Sequence, residues 1–296
     1  MTHLSDHLRH FLNTAIPSKE AVSTSLRDVR RSGLIADVAR EFYRRPVGLP
    51  LHWFNAVPNL GDILSPVITQ FVSGFPVFRV SNRIGGKILS IGSVAQVARH
   101  GDAVWGAGAV SREGADLSGC HVLAVRGPLT RERSIGDIPA VFGDPAMLLP
   151  LFYEPRPTKS IEVGVIPHYV EKDKLTVDDP NVSVIDVTGL DWRRTVDQIC
   201  ACSVVYASSL HGLIVAEAYG VPAIWISASD DVIGGGFKFH DYYASTDREI
   251  SGPQTITGPV SKLQTNPPTP PSVDIQPLLD AWPIEWTGSA ARLDLA

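Results

Sequence analysis

Val204-Val-Tyr-Ala-Ser-Ser-Leu-His-Gly-Leu-Ile-Val-Ala-Glu-Ala-Tyr-Gly-Val-Pro-Ala-Ile-Trp-Ile226 reads as strand, polar turn, buried helix, glycine stop and second strand. The β-branched and aromatic run from Val204 to Ala207 suits a strand, and Ser208 and Ser209 are helix-capping residue types. Gly220, followed by Pro222, stands where a glycine ends a helix in the left-handed conformation. His211 therefore falls in the first helical turn, at the carboxyl end of a strand. In open parallel sheets ligands bind at that edge, because helix N-terminal N–H groups and their dipole attract anions there.

Outward from this unit the chain keeps alternating. Upstream of it come strand candidates Ile161–Ile166 and Val182–Val187 and a helix candidate Trp192–Ala201. Further back are strand candidates at Leu51–Phe54, Lys87–Ile91, Ala103–Gly106 and His121–Val125, with a helix at Ile63–Val72. Such alternation implies an α/β fold with parallel sheets and covering helices. Residues 1–48 read as an N-terminal helical arm, with Leu34, Ile35, Val38, Ala39 and Phe42 on one helical face. Residues 49–150 and 151–250 read as two α/β lobes, the second holding His211. Pro145–Pro157 is the linker candidate between them. Residues 251–296 read as a Pro-rich surface crossing, followed by a last helix at Asp274–Trp282.

With 296 residues, 44% hydrophobic and 19% charged, the chain can bury a large core. Its formal net charge of -5 argues against a nucleic-acid binder that depends on overall positive charge, and Arg30-Arg31 and Arg44-Arg45 suit solvated helix faces. No basic segment followed by an apolar one opens the chain, and no uncharged run is long enough to span a bilayer, so the expected location is the cytoplasm. Cys120, Cys200 and Cys202 are too few for a disulfide framework and suit core packing better than a zinc site.

Besides His211, polar side chains gather at four predicted strand ends: Asn59–Asp62, Gly106–Arg112, Arg126–Thr130 and Gly235–His240. The glycines of 106–112 let backbone N–H groups approach a phosphate, with Arg112 able to complete the charge, although neither a P-loop nor a dinucleotide fingerprint is present. Asp62 suits either a helix cap or a general base toward a sugar hydroxyl. Glu217 is the one acid of an otherwise apolar helix, so it must reach a cleft or find a buried partner. Arg126 suits either anion binding or a surface pair with Glu132 or Asp137. Lys238 and His240 suit either a loop that closes on a ligand or a solvated turn. A core histidine bonded to a carbonyl is the structural alternative for His211.

These motifs, taken in order, resemble the polysaccharide pyruvyl transferase family, particularly its bacterial exopolysaccharide type. The resemblance rests on Asn59-Leu-Gly-Asp-Ile-Leu-Ser-Pro66, Val104-Trp-Gly-Ala-Gly108, Val125-Arg-Gly-Pro128, Gly143-Asp-Pro-Ala-Met-Leu-Leu149, Ile166-Pro-His-Tyr169, Ser208–Pro222 and Lys238-Phe-His-Asp-Tyr-Tyr243. It implies two Rossmann-like lobes facing a cleft, similar to GT-B glycosyltransferases, and phosphoenolpyruvate as donor for a pyruvate ketal on a sugar. His211 and Asp62 are then the catalytic candidates. Ser208, Ser209, Leu210, Gly108, Arg112, Arg126 and Lys238 are the donor-binding candidates, and Asn59, His168, Glu217 and His240 the acceptor-binding ones. Some family members have an arginine where this chain has Ser209, which leaves the donor phosphate to Arg112, Arg126 or Lys238. No metal ligand and no cofactor are expected, since phosphate leaves from an activated donor. The expected partners are phosphoenolpyruvate and a saccharide acceptor, lipid-linked at the inner face of the inner membrane; peripheral membrane contact and oligomerisation stay open, and no nucleic acid is expected.

Two other readings remain at this stage. His-Gly, Glu-Ala and Gly-x-Pro also resemble the nucleotide-binding segment of a GT-B glycosyltransferase using a nucleotide sugar, where Glu217 would hold the ribose. A non-catalytic sugar-binding relative of the same scaffold is the third.

Overall fold

The computed structural model describes residues 48–157, 160–175, 177–229, 231–256, 260 and 268–282. The expected N-terminal arm and the end of the C-terminal segment lie outside the described residues.

Two five-stranded sheets carry the fold, and every strand pair in them is parallel. The first is built from β1 (Leu49–His52), β2 (Val77–Arg79), β3 (Ile88–Leu89), β4 (Ala103–Trp105) and β5 (His121–Ala124), in the order β2-β1-β3-β4-β5. The second is built from β6 (Ile161–Ile166), β7 (Val182–Val184), β8 (Cys202–Ala207), β9 (Ala223–Ser227) and β10 (Gln254–Thr255), in the order β10-β9-β8-β6-β7. Read in chain order within each half, both sheets have the same 2-1-3-4-5 arrangement. Each strand order reverses once, between β1 and β3 in the first sheet and between β6 and β8 in the second.

Helices α1 (Leu60–Ser73), α2 (Pro128–Arg133), α3 (Trp192–Cys200), α4 (Leu210–Ala218), α5 (Phe237–Ala244) and α6 (Gln276–Asp280) complete the described elements, with short 3-10 turns at Ala95–Val97 and Pro145–Leu151. The opening unit of the sequence is β8, α4 and β9. Helix α4 is apolar on nearly every side, so burial all round stabilises it rather than one amphipathic face. Leu210, Gly212, Leu213, Ile214, Val215 and Ala216 are all buried. Gly212 lets it rest on β6, since a Cβ there would stand 2.6 Å from the Ile166 side chain. At its end Gly220 takes φ +75°, Gly220 N–H donates to the Glu217 carbonyl and Val221 N–H to the Ala216 carbonyl. That pair of bonds is the Schellman closure that the glycine was expected to allow.

Two expectations change. Pro145–Leu151 is a capped 3-10 turn, with Ala146, Met147, Leu148 and Leu149 buried against α1 and α4, where a linker was expected. Pro145 sits at the first position of the turn, where no amide donor is needed, and the apolar residues that follow join the core shared by the two sheets. Downstream, Gln254–Thr255 adds a parallel edge strand to β9 inside the stretch expected to be irregular. One cluster of buried side chains runs from Leu49 and Leu51 through Met147 and Leu148 to Ile166 and Trp225, so the core is continuous across both sheets. The last described segment, 268–282, returns to the first sheet, where Trp105 donates from Nε1 to the Leu278 carbonyl at 2.8 Å and packs edge-on against Trp282. No described helix is long and apolar enough to cross a membrane.

Candidate active site

In a doubly wound sheet, chains leave neighbouring strands in opposite directions at the point of order reversal and open a crevice at their carboxyl ends. This chain has two such points, and one cleft of about 830 Å³ is lined from both. From the first sheet come His52, Asn59, Asp62, Gly92 and Ser93; from the second come His168, Ser209, Leu210, His211 and, further on, Lys238.

Ser209 is the N-cap of α4, its hydroxyl accepting from Gly212 N–H at 3.4 Å, so Leu210 and His211 hold the first two helical positions. Ser208 is buried behind them; its hydroxyl accepts from His168 N–H at 2.8 Å and ties the ends of β6 and β8 together. The His211 imidazole lies between two elements of the first half. On one side Gly61, in the first turn of α1, leaves so little room that a Cβ would stand 2.0 Å from Nδ1. On the other, Nε2 faces Asp144 Oδ2 at 3.5 Å, and neither buried atom has another partner among the described residues. Asp144 is completely buried and caps the 3-10 turn through Oδ1, which accepts from Ala146 N–H. Held between Gly61 and Asp144, the ring still lines the cleft.

Asn59, the N-cap of α1, accepts from Asp62 N–H and donates through Nδ2 to the Asp62 carboxylate. The sequence left Asp62 as cap or base; the capping belongs to Asn59, and the Asp62 carboxylate lines the cleft. Burial raises its pKa to about 6, against the lowering effects of the nearby His211 and of the Asn59 amide. Loss of solvent drives His168 the other way, to about 3 with help from Lys238 and His211, so its ring is neutral. Its Nδ1 accepts from Val170 N–H at 3.4 Å, which assigns the proton to Nε2. Lys238, at the start of α5, is lowered to about 8 by burial and by the charge of Arg126, partly offset by Glu171.

Other expected site residues lie elsewhere. Arg126 is wholly buried: Nε donates to Asp241, Nη1 to Ser93 Oγ and Nη2 to the Ala109 carbonyl. Its partner is neither Glu132 nor Asp137, and it stands one layer behind the cleft wall. Gly108 makes room for it, since a Cβ there would meet the guanidinium carbon at 2.2 Å. Asp241 also accepts from Thr130 N–H and Oγ1, so this buried node holds α5, and with it Lys238, against the turn after β5. Arg112 and His240 line a separate, smaller cavity together with Arg133 and Phe237. Glu217 takes the buried-partner option: Arg248 donates to both of its oxygens at 2.8 and 2.7 Å, and Tyr242 adds a third bond.

The structure adds Asp144, Gly61 and Arg79 to the site. Asp144 carried a signal, an aspartate immediately before a proline, which is an N-cap followed by a first-turn proline. Arg79 sits on a three-residue strand and carried none. No group of three or more His, Cys, Asp or Glu side chains placed to hold a metal occurs among the described residues.

A family model described as polysaccharide pyruvyl transferase matches residues 61–230, which contain Asp62, Asp144, His168 and His211. An uncharacterised protein of Acanthamoeba polyphaga mimivirus is 32% identical over 171 residues, covering 51% of this chain and 57% of that protein. The chain thus spans little more than half the length of that relative. A crystal structure of a functionally uncharacterised protein from Klebsiella pneumoniae aligns with 76% of this chain and 98% of its own, at 14% identity and a TM-score of 0.38. The family match covers more than half of the chain and includes both residues that flank the His211 imidazole, Gly61 and Asp144, and on that ground the chain belongs to the polysaccharide pyruvyl transferase family, a family of transferase enzymes.

Proposed function

We propose that this protein transfers pyruvate from phosphoenolpyruvate to two hydroxyls of a saccharide, forming a cyclic ketal and releasing phosphate. The observation that carries the reading is the placement of His211 beside Asp62 in one cleft where the order-reversal points of both sheets meet. In this mechanism the protonated His211 ring gives a proton to the methylene carbon of the donor while a sugar hydroxyl attacks C2. Asp144, facing Nε2, orients the ring and stabilises its positive form. Asp62 takes the proton of the attacking hydroxyl; a carboxyl titrating near 6 is well matched to accept and return it around neutral pH. The C2–O bond to phosphate then breaks, and the second hydroxyl closes the ketal. Of the two hydroxyl protons, one replaces that spent on the methylene carbon and the other leaves with phosphate.

Lys238 and the free N–H groups opening α4 supply positive potential for the donor's carboxylate and phosphate. The acceptor in this reading is a sugar of an exopolysaccharide or of its lipid-linked repeat unit, met in the cytoplasm. A GT-B-like pairing of lobes is supported by the matching strand orders and the shared cleft. The nucleotide-sugar reading loses its ribose ligand, because Glu217 is engaged by Arg248 and Tyr242.

The test is phosphate release from phosphoenolpyruvate with a panel of model galactosides and glucosides. Acceptor-dependent release is expected, with a loss of at least a hundredfold in His211→Ala, a typical scale for removing a positioned proton donor. Release that ignores the acceptor, or full activity in a folded His211→Ala protein, would overturn the proposal.

A further inference from the structure

The cleft, at about 830 Å³, is far larger than a three-carbon donor, and its two walls differ in chemistry. The wall from the second sheet holds His168, Ser209, His211 and Lys238. The wall from the first sheet, beyond Asp62, presents Phe54, Asn55, Arg79, Asn82 and Arg83. Phe54 leaves 42% of its surface open, a flat apolar face suited to the C–H side of a sugar ring, and the two amides suit hydroxyls.

Two cations, Arg79 and Arg83, line this wall; Asp62 lies within electrostatic reach of Arg79, but neither arginine forms an ion pair among the described residues. Arg79 is positioned: Nε donates to the Trp53 carbonyl at 3.1 Å and the guanidinium carbon lies 5.9 Å from the Trp53 ring centre. Its two terminal nitrogens remain, and neither forms a salt bridge among the described residues. The Arg83 side chain forms no described hydrogen bond or ion pair, and only its backbone N–H is engaged, by Ser81. Among the described residues the acids lining the cleft are Asp62 and Asp231. Asp231 is paired with Lys174, and Asp62, held by Asn59, attracts Arg79 without forming an ion pair with it, so one unpaired carboxylate faces two guanidinium groups and the wall stays net positive. A guanidinium fork matches the planar or tetrahedral oxygens of a carboxylate or phosphate, and it gains nothing comparable from a neutral hydroxyl.

We infer that Arg79 and Arg83 make the first-sheet wall an anion subsite, so that the acceptor is a saccharide bearing a carboxylate or a phosphate rather than a neutral one. This rests on reading the cleft as a saccharide site. It deepens the proposed function without using turnover.

The experiment is equilibrium binding to the full chain without phosphoenolpyruvate, at low salt, with methyl glucuronide, glucose 1-phosphate and methyl glucoside as probes. At least one anionic probe is expected to bind roughly tenfold more tightly than the neutral one, the scale of a charge-assisted bond at a partly solvated site, with the preference fading as salt screens it. Whichever anionic probe is favoured identifies carboxylate or phosphate as the recognised group. Arg79→Gln should erase the preference and Arg83→Gln should reduce it. Because Arg83 holds no other side chain, its variant keeps the test valid if Arg79→Gln fails to fold. Equal binding of all three probes, or a preference that survives both substitutions, overturns the inference. So does an Arg79→Gln protein that keeps the preference and loses stabilisation by phosphoenolpyruvate, since the charge would then serve the donor. A wild-type protein that never releases phosphate yet shows the arginine-dependent preference would sink the transferase reading alone.

Discussion

Asp62→Asn should make this protein more stable and less active, and the gain should depend on pH in a defined direction. Burial raises the Asp62 carboxyl from 3.8 to about 6 in the folded chain. The folded state therefore binds a proton more tightly than the unfolded state, and the contribution to stability is present below pH 3.8 and lost as pH rises through 6. At 1.36 kcal/mol per pKa unit, that loss amounts to about 3 kcal/mol above pH 6. Asparagine has nearly the shape of the protonated acid and never ionises, so the variant avoids the loss, less whatever the Asn59 bond to the charged carboxylate contributes. The assay is urea unfolding of both proteins at several pH values between 4 and 8, taking the difference in unfolding free energy so that all other titrations cancel. The difference should be about 0.5 kcal/mol at pH 4 and climb to about 2–3 kcal/mol in favour of asparagine by pH 7. A flat difference, or a less stable variant at pH 7, would show that Asp62 is not held in a desolvated state. Acceptor-dependent phosphate release should fall by about a hundredfold in the same variant, the usual scale for losing a positioned base.

Gly61→Ala favours helix formation in α1 by propensity, yet its Cβ would collide with the His211 ring. It should leave a folded protein, with kcat lowered more than tenfold and a melting temperature changed by only a few degrees. Asp144→Asn should lower kcat by about a hundredfold, because the carboxylate facing Nε2 is lost while the cap to Ala146 survives; an unchanged kcat would reduce Asp144 to a capping residue. Glu217→Gln leaves Arg248 and Tyr242 around a neutral amide and should cost about 3 kcal/mol in denaturant unfolding, with little change in the KM for donor or acceptor. A large change in KM would instead return Glu217 to the cleft.

Local signals determined much of this protein in advance. The Ser209 cap and the Gly220 stop fix where α4 begins and ends, because their hydrogen bonds join residues a few positions apart. The alternation of strands and helices likewise implied parallel sheets, and His211 and Asp62 were both legible as strand-end side chains opening helices. What the chain order does not contain is which polar residues share a wall. Arg126 and Arg112 looked as suitable as Lys238, yet Asp241, 115 positions away, claims the first, and the second faces another cavity. Glu217 found Arg248 in a stretch with no motif. Asp144 became the neighbour of His211 only because a proline-rich segment, read as a linker, packs its apolar residues between the sheets. Capping and periodicity are decided within one turn of chain, whereas the burial of a charge is decided by whatever long-range partner folding brings to it. Composition and spacing therefore identified the histidine, and tertiary packing chose the groups that would set its orientation and the charge around it.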